Sequence, residues 1–155
     1  MNNVNNSKQF EDALKVYCNI SRIRKLTLGC GDNALPGWFN TDLNEKLSDG
    51  IYHIDMTRRL SIDDHTFDYI ELEHNIEHLT YLQGVNLIGE CHRILRGNGT
   101  IRIVTPDLRR LIGIYLSNAS ISSKYQSWMM DDFIDDTPLS KKCIPAMVFN
   151  NSVRA

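Results

Sequence analysis

Residues Leu26-Thr27-Leu28-Gly29-Cys30-Gly31-Asp32-Asn33-Ala34 constrain this chain more than any other stretch. A β-prone apolar run there meets two glycines and a short polar turn. Glycines at a strand end let backbone N–H groups approach a ligand closely, because no Cβ intervenes. A second run, Trp38-Phe39-Asn40-Thr41-Asp42, closes on a carboxylate eleven residues after Gly31. A carboxylate at the tip of a neighbouring strand can accept both hydroxyls of a ribose. The pairing directs the reading toward a nucleoside site at the carboxyl ends of parallel strands. A bare strand-to-loop turn at the glycines and a capping role for Asp42 are the plain structural alternatives.

The rest of the chain alternates strands with helices. Residues 1 to 6 are expected to form a disordered tail, with Ser7 as an N-cap. Phe10, Ala13, Leu14 and Tyr17 then recur at helical spacing to about Cys18. Strands are expected at about Lys25–Leu28, Phe39–Asp42, Ile51–Asp55, Phe67–Leu72 and Thr100–Val104. The ten residues from Gly29 to Trp38 leave no room for a crossover helix. A long helix is expected from about Ile76 to Leu95, with Val85, Ile88, Cys91 and Leu95 as its core stripe and Leu87 and Ile94 beside it. Arg96-Gly97-Asn98-Gly99 would end that helix and turn the chain. Pro106 and Asp107 start another helix, whose apolar face is Leu108, Leu111, Ile112, Tyr115 and Leu116. Such interleaving argues for an α/β fold with a mostly parallel sheet wound by right-handed crossovers. The domain spans 7–118. The remaining segment, 119–155, is partial, helical or loop, with Tyr125, Trp128, Met129 and Phe133 as a helix lining and Asp131, Asp132, Asp135 and Asp136 as a solvated acidic cluster.

Composition removes several function classes. A formal net charge of −2 gives no reason to expect nucleic acid as the main partner. No apolar run approaches the roughly 20 residues that span a bilayer. The cysteines, Cys18, Cys30, Cys91 and Cys143, form no CxxC pair, which favours reduced thiols in a cytoplasmic protein over a disulfide frame or a zinc finger.

Five stretches in order resemble a class I S-adenosylmethionine-dependent methyltransferase, more narrowly the methyltransferase-11 type often associated with bacterial glycan clusters. They are Leu28-Gly29-Cys30-Gly31, Asn40-Thr41-Asp42-Leu43, His53-Ile54-Asp55-Met56, Phe67-Asp68-Tyr69-Ile70 through Glu77-His78-Leu79, and Ile94 through Gly99 with Thr105-Pro106-Asp107-Leu108. The similarity covers about Leu26 to Leu116. Thr27 and Leu28 stand where that family carries an acidic residue before the glycine turn. The family closes its sheet with an antiparallel pair for which this sequence shows no strands, so the chain resembles a C-terminally truncated methyltransferase domain. An uncovered fifth strand would then offer an edge for self-association.

The resemblance implies a Rossmann-like three-layer sandwich with strand order 3-2-1-4-5, S-adenosylmethionine as cofactor, and methyl transfer to a small-molecule or glycan-linked acceptor. Gly29, Cys30 and Gly31 would pass under the methionine part, Asp42 would hold the ribose, and Leu43 would pack on adenine. Asp55 would sit by the adenine amino group, with the Met56 backbone near the ring; a turn-forming role for Asp55 is the competing reading. Glu73 and His74 would border the methyl group and the acceptor as candidate catalytic residues, and a histidine near neutral pKa suits proton removal. The competing functional class is a truncated, non-catalytic cofactor-binding module. His74-Asn75-Ile76-Glu77-His78 also matches an inverted zinc-protease pattern, but the motif directly follows a strand, so no metal is expected. Gly29 to Ala34 fits the dinucleotide pattern G-x-G-x-x-A, yet the helix has no room and the acid comes too early.

Overall fold

The computed structural model describes residues 2–44, 50–109 and 112. The backbone divides into two units, Met1–Thr105 and Pro106–Ala155, and the sheet lies in the first. The expectations for Leu111, Tyr115 and Leu116, for the segment 119–155 with its aromatic and acidic residues, and for the antiparallel pair fall outside the described residues. Leu108 and Ile112, expected to face a core, are exposed.

Five strands build one parallel sheet: β1 (Lys25–Leu28), β2 (Phe39–Asp42), β3 (Ile51–His53), β4 (Phe67–Glu73) and β5 (Leu95–Val104). Their order is β3-β2-β1-β4-β5, as the resemblance implies. Leu26 and Leu28 on the central strand are wholly buried, as are Ile70 and Leu72 on β4. All four share one face of the sheet, Leu26 beside Ile70 and Leu28 beside Leu72; on the other face Thr27 is buried while Tyr69 is exposed.

Helix α1 runs over Asn2–Ile20. It starts ahead of the expected cap, so Ser7 lies inside it and the expected disordered tail is helical from Asn2. Asparagine is a weak helix former, but once the Phe10–Tyr17 face has formed turns against the sheet, adding residues to an existing helix costs little. Phe10 meets Phe39 edge-on at 5.5 Å, and Phe39 stacks on Tyr52 at 4.7 Å. The Tyr17 hydroxyl receives the Lys25 N–H at 2.9 Å and lies 3.0 Å from the Lys25 carbonyl, which pins α1 to the start of β1.

The expected helix over Ile76–Leu95 is two elements. A 3-10 turn covers Ile76–His78, and α2 covers Tyr81–Ile94. The break falls at Thr80, which forms a capping box with Gln83, a signal present in the sequence. The buried face of α2 also differs from the expected stripe. Leu87, Cys91 and Ile94 are buried, whereas Val85 and Ile88 are exposed. Both sets recur at helical spacing, and packing on the sheet selects between them. Leu87→Ala should therefore cost about 3 kcal/mol in urea denaturation, while Val85→Ala should stay within about 0.5 kcal/mol. Equal costs would overturn this assignment of the face.

Helix α2 passes straight into β5 at Leu95, its C-cap. The expected turn at Arg96–Gly99 is an irregularity inside β5 instead. Phe67 pairs with Leu95 and Tyr69 with Thr100, so the intervening β5 residues bulge out of register. Asn98 takes a left-handed φ of 67° there.

Candidate functional site

The carboxyl ends of β1, β2 and β4 converge around the glycine turn. Parallel pairing sets Leu28 beside Thr41 and Leu28 beside Leu72. The Thr41 carbonyl accepts both the Gly29 and Cys30 N–H groups, at 2.9 and 3.0 Å, and so folds the turn back over β2. Gly29 and Gly31 have φ of 73° and 53°, a region that L side chains enter only with strain. Asn40, which sequence reasoning passed over, organises the loop that follows. Its side chain bonds Leu35 N, Leu35 O and Trp38 O and receives the Thr27 hydroxyl.

Asp42 turns toward the glycines. Its Oδ2 accepts the Gly31 N–H at 2.8 Å, and its Oδ1 accepts the Asn44 N–H at 2.8 Å. A carboxylate offers about four acceptor directions, so these bonds orient it without exhausting it. Leu43 beside it is exposed, an apolar surface at the strand tip. Among the described residues, nothing lies within 4 Å of the position a Gly31 Cβ would take. Open space at Gly31, a carboxylate fixed against it and an apolar shelf fit a nucleoside-bearing group. Burial and the nearby Asp42 charge push the Cys30 thiol upward, away from the thiolate form.

Asp55 forms the turn after β3. Its Oδ1 takes the Thr57 N–H and hydroxyl at 3.0 and 2.6 Å, and Arg58 pairs with its Oδ2 at 2.9 Å. The Thr57 hydroxyl holds this carboxyl below the ordinary carboxylate range. The Met56 side chain is buried in the core, which leaves only its backbone for the rim.

After β4 the chain turns sharply. His74 has a left-handed φ of 56°, and its N–H extends the ladder to Val104 O at 2.9 Å. Its Nδ1 lies 3.2 Å from Glu77 Oε1. This backbone places His74 outside the 3-10 turn, so the two histidines of the zinc-like pattern do not share an α-helix. Glu73 is exposed and lies 3.4 Å from Arg102, which also pairs with Glu71.

Asn75 is the site residue that sequence reasoning missed. Its Nδ2 donates to Leu28 O, Gly29 O and Glu73 O at 3.1, 3.0 and 2.6 Å. Its Oδ1 sits 2.0 Å from where a Gly29 Cβ would be. This one side chain ties the glycine turn to the end of β4 across 46 residues of sequence. A separate cleft of about 430 Å³, lined by Leu14, Cys18, Arg24 and Asp63, lies at the amino ends of the strands. In open parallel sheets ligands gather at the carboxyl ends, so the glycine turn is the stronger candidate.

No protein-family model matches this chain, and no curated protein does. Solved structures match in backbone. A SAM dependent methyltransferase from Archaeoglobus fulgidus is 18% identical with a TM-score of 0.50, covering 96% of this chain and 89% of that one. A protein from Pyrococcus horikoshii OT3 is 22% identical with a TM-score of 0.50, covering 74% of this chain and 64% of that one. An S-adenosylmethionine dependent methyltransferase from Mesorhizobium loti is 20% identical with a TM-score of 0.43; the match covers 59% of this chain and only 50% of that one, so the chain spans about half its length. With its five parallel strands in the order β3-β2-β1-β4-β5, the chain has the Rossmann-like fold of the class I S-adenosylmethionine-dependent methyltransferases.

Proposed function

We propose that the carboxyl-end site binds S-adenosylmethionine and that the protein transfers its methyl group to a small-molecule or glycan-linked acceptor. The observation that carries this reading is the 2.8 Å bond from Gly31 N–H to Asp42 Oδ2. It fixes a carboxylate at the rim of a glycine turn, where a ribose would present its two hydroxyls. Leu43 covers one adenine face, and Asp55 with the Met56 backbone flanks the ring. Gly29, Cys30 and Gly31 bring bare backbone beside the amino-acid end. When bound, the cofactor supplies an electrophilic sulfonium methyl. The residues of this chain then chiefly align the reactants, and alignment alone can lower a barrier by several kcal/mol. Glu73 and His74 border the acceptor side, where His74 takes a proton from a hydroxyl or amine nucleophile.

The test is calorimetric titration with S-adenosylmethionine and S-adenosylhomocysteine. Wild-type protein should bind both, and Asp42→Ala should weaken binding by about 100-fold, the loss of roughly 3 kcal/mol of charge-assisted hydrogen bonds. Unchanged affinity in a folded Asp42→Ala protein would remove the ribose role and the reading built on it. A second reading, a cofactor-binding module without transfer, draws support from Glu73 and His74 being engaged with Arg102 and Glu77. It predicts binding of both ligands without turnover. Among the described residues β5 ends the sheet, and its edge is the surface on which self-association would build.

A further inference from the structure

We propose that the Asn75 side chain is a displaceable plug on a cradle of three backbone carbonyls, and that the cradle takes the ammonium group of the cofactor's amino-acid end. This inference rests on the adenosyl-cofactor reading above. Leu28 O, Gly29 O and Glu73 O all lie within 3.1 Å of the single Nδ2. Three acceptors around that atom fix the orientation of the amide. A primary amide nitrogen has only two N–H groups, so one of the carbonyls shares a proton. A protonated primary amine carries three N–H donors and a positive charge, and its bonds to carbonyls are charge-assisted. The ammonium therefore matches the cradle better than the side chain that occupies it.

Two further observations mark Asn75 as an occupant able to leave. Its Oδ1 lies over the bare face of Gly29, 2.0 Å from where a Cβ would stand, so the same side chain covers the backbone that the cofactor would pass under. Asn75 is also the N-cap residue of the Ile76–His78 turn, yet it makes no side-chain cap hydrogen bond. Asparagine is among the best capping residues, so rotation toward that turn gives the displaced side chain a second place to rest.

S-adenosylhomocysteine, which carries the ammonium, and 5′-methylthioadenosine, which lacks it, are titrated into wild type and Asn75→Ala, while NMR follows the Asn75 side-chain amide in wild type. Removing the plug should tighten S-adenosylhomocysteine by about tenfold and leave 5′-methylthioadenosine unchanged, because only the first competes with the amide. In wild type the Asn75 amide signals should move with the first ligand and not with the second. Weaker or unchanged binding of S-adenosylhomocysteine overturns the plug, as does an equal gain for both ligands. Absence of binding by either ligand to folded wild type overturns the adenosyl reading together with it, whereas 5′-methylthioadenosine binding without the differential overturns the plug alone. Should Asn75→Ala fail to fold, Asn75→Ser gives the same comparison.

Discussion

Replacing Gly29 by alanine should destabilise the fold by about 3 kcal/mol, against about 1 kcal/mol for the same change at Gly31. Both glycines have left-handed backbone, so both substitutions meet conformational strain. The difference is what the new methyl group encounters. At Gly31 it meets none of the described residues, and at Gly29 it lands 2.0 Å from Asn75 Oδ1. Asn75 must then leave, and its bonds to Leu28, Gly29 and Glu73 are lost. Equilibrium unfolding in urea measures the difference. Since Asn75→Gly removes the same bonds, the double variant should be little worse than Gly29→Ala alone. Additive costs would show that the two residues do not act on each other.

Arg93→Ala should cost about 3 kcal/mol, because this guanidinium uses all five of its donors. Nε and Nη2 grip Glu90 at 2.9 and 2.6 Å, Nη1 reaches Ile62 O and Asp64 at 2.7 Å each, and Nη2 also reaches Leu60 O at 3.1 Å. Glu90 in turn receives the Leu60 N–H at 2.9 Å. Without Arg93 the loop ahead of β4 loses three side-chain bonds to α2, through Leu60 O, Ile62 O and Asp64, and a half-buried carboxylate loses its cation. The hydrogen bonds from Arg93 hold Glu90 down to about 2 from an ordinary value of 4.5. A carboxyl depressed in the folded state stabilises above its unfolded value, and that contribution fades as pH falls from about 4.5 toward 2. The cost of Arg93→Ala measured by thermal unfolding should therefore be smaller at pH 3 than at pH 7. A cost that is equal at both would separate Arg93 from Glu90.

The glycine turn and the approach of Asp42 to it were legible because each rests on local pattern, whereas the strand order followed from the family resemblance and not from any short window. A short β-prone run, two glycines and a terminal carboxylate specify themselves within a short window. The break at Thr80 was not read, although its capping box stands in the sequence, because the longer apolar periodicity across it favoured one continuous helix. The buried face of α2 was not, since Val85 and Ile88 fit a helical stripe as well as Leu87 and Ile94 do, and only the sheet beneath distinguishes them. Asn75 was the least legible, because its part depends on carbonyls 46 and 47 positions away. An asparagine after a strand reads as a turn former until the chain has closed.

The direct passage from α2 into β5 at Leu95 also bears on how this fold tolerates changes in length. A junction without a linker cannot absorb an added residue; the strand beyond it must slip, and a slip by one exchanges the faces of Ile101 and Arg102. The out-of-register residues between Leu95 and Thr100 interrupt that rigidity. Natural variants of this architecture would gain or lose residues there, where the strand already departs from its ladder, while Thr100–Val104 keeps its alignment with β4.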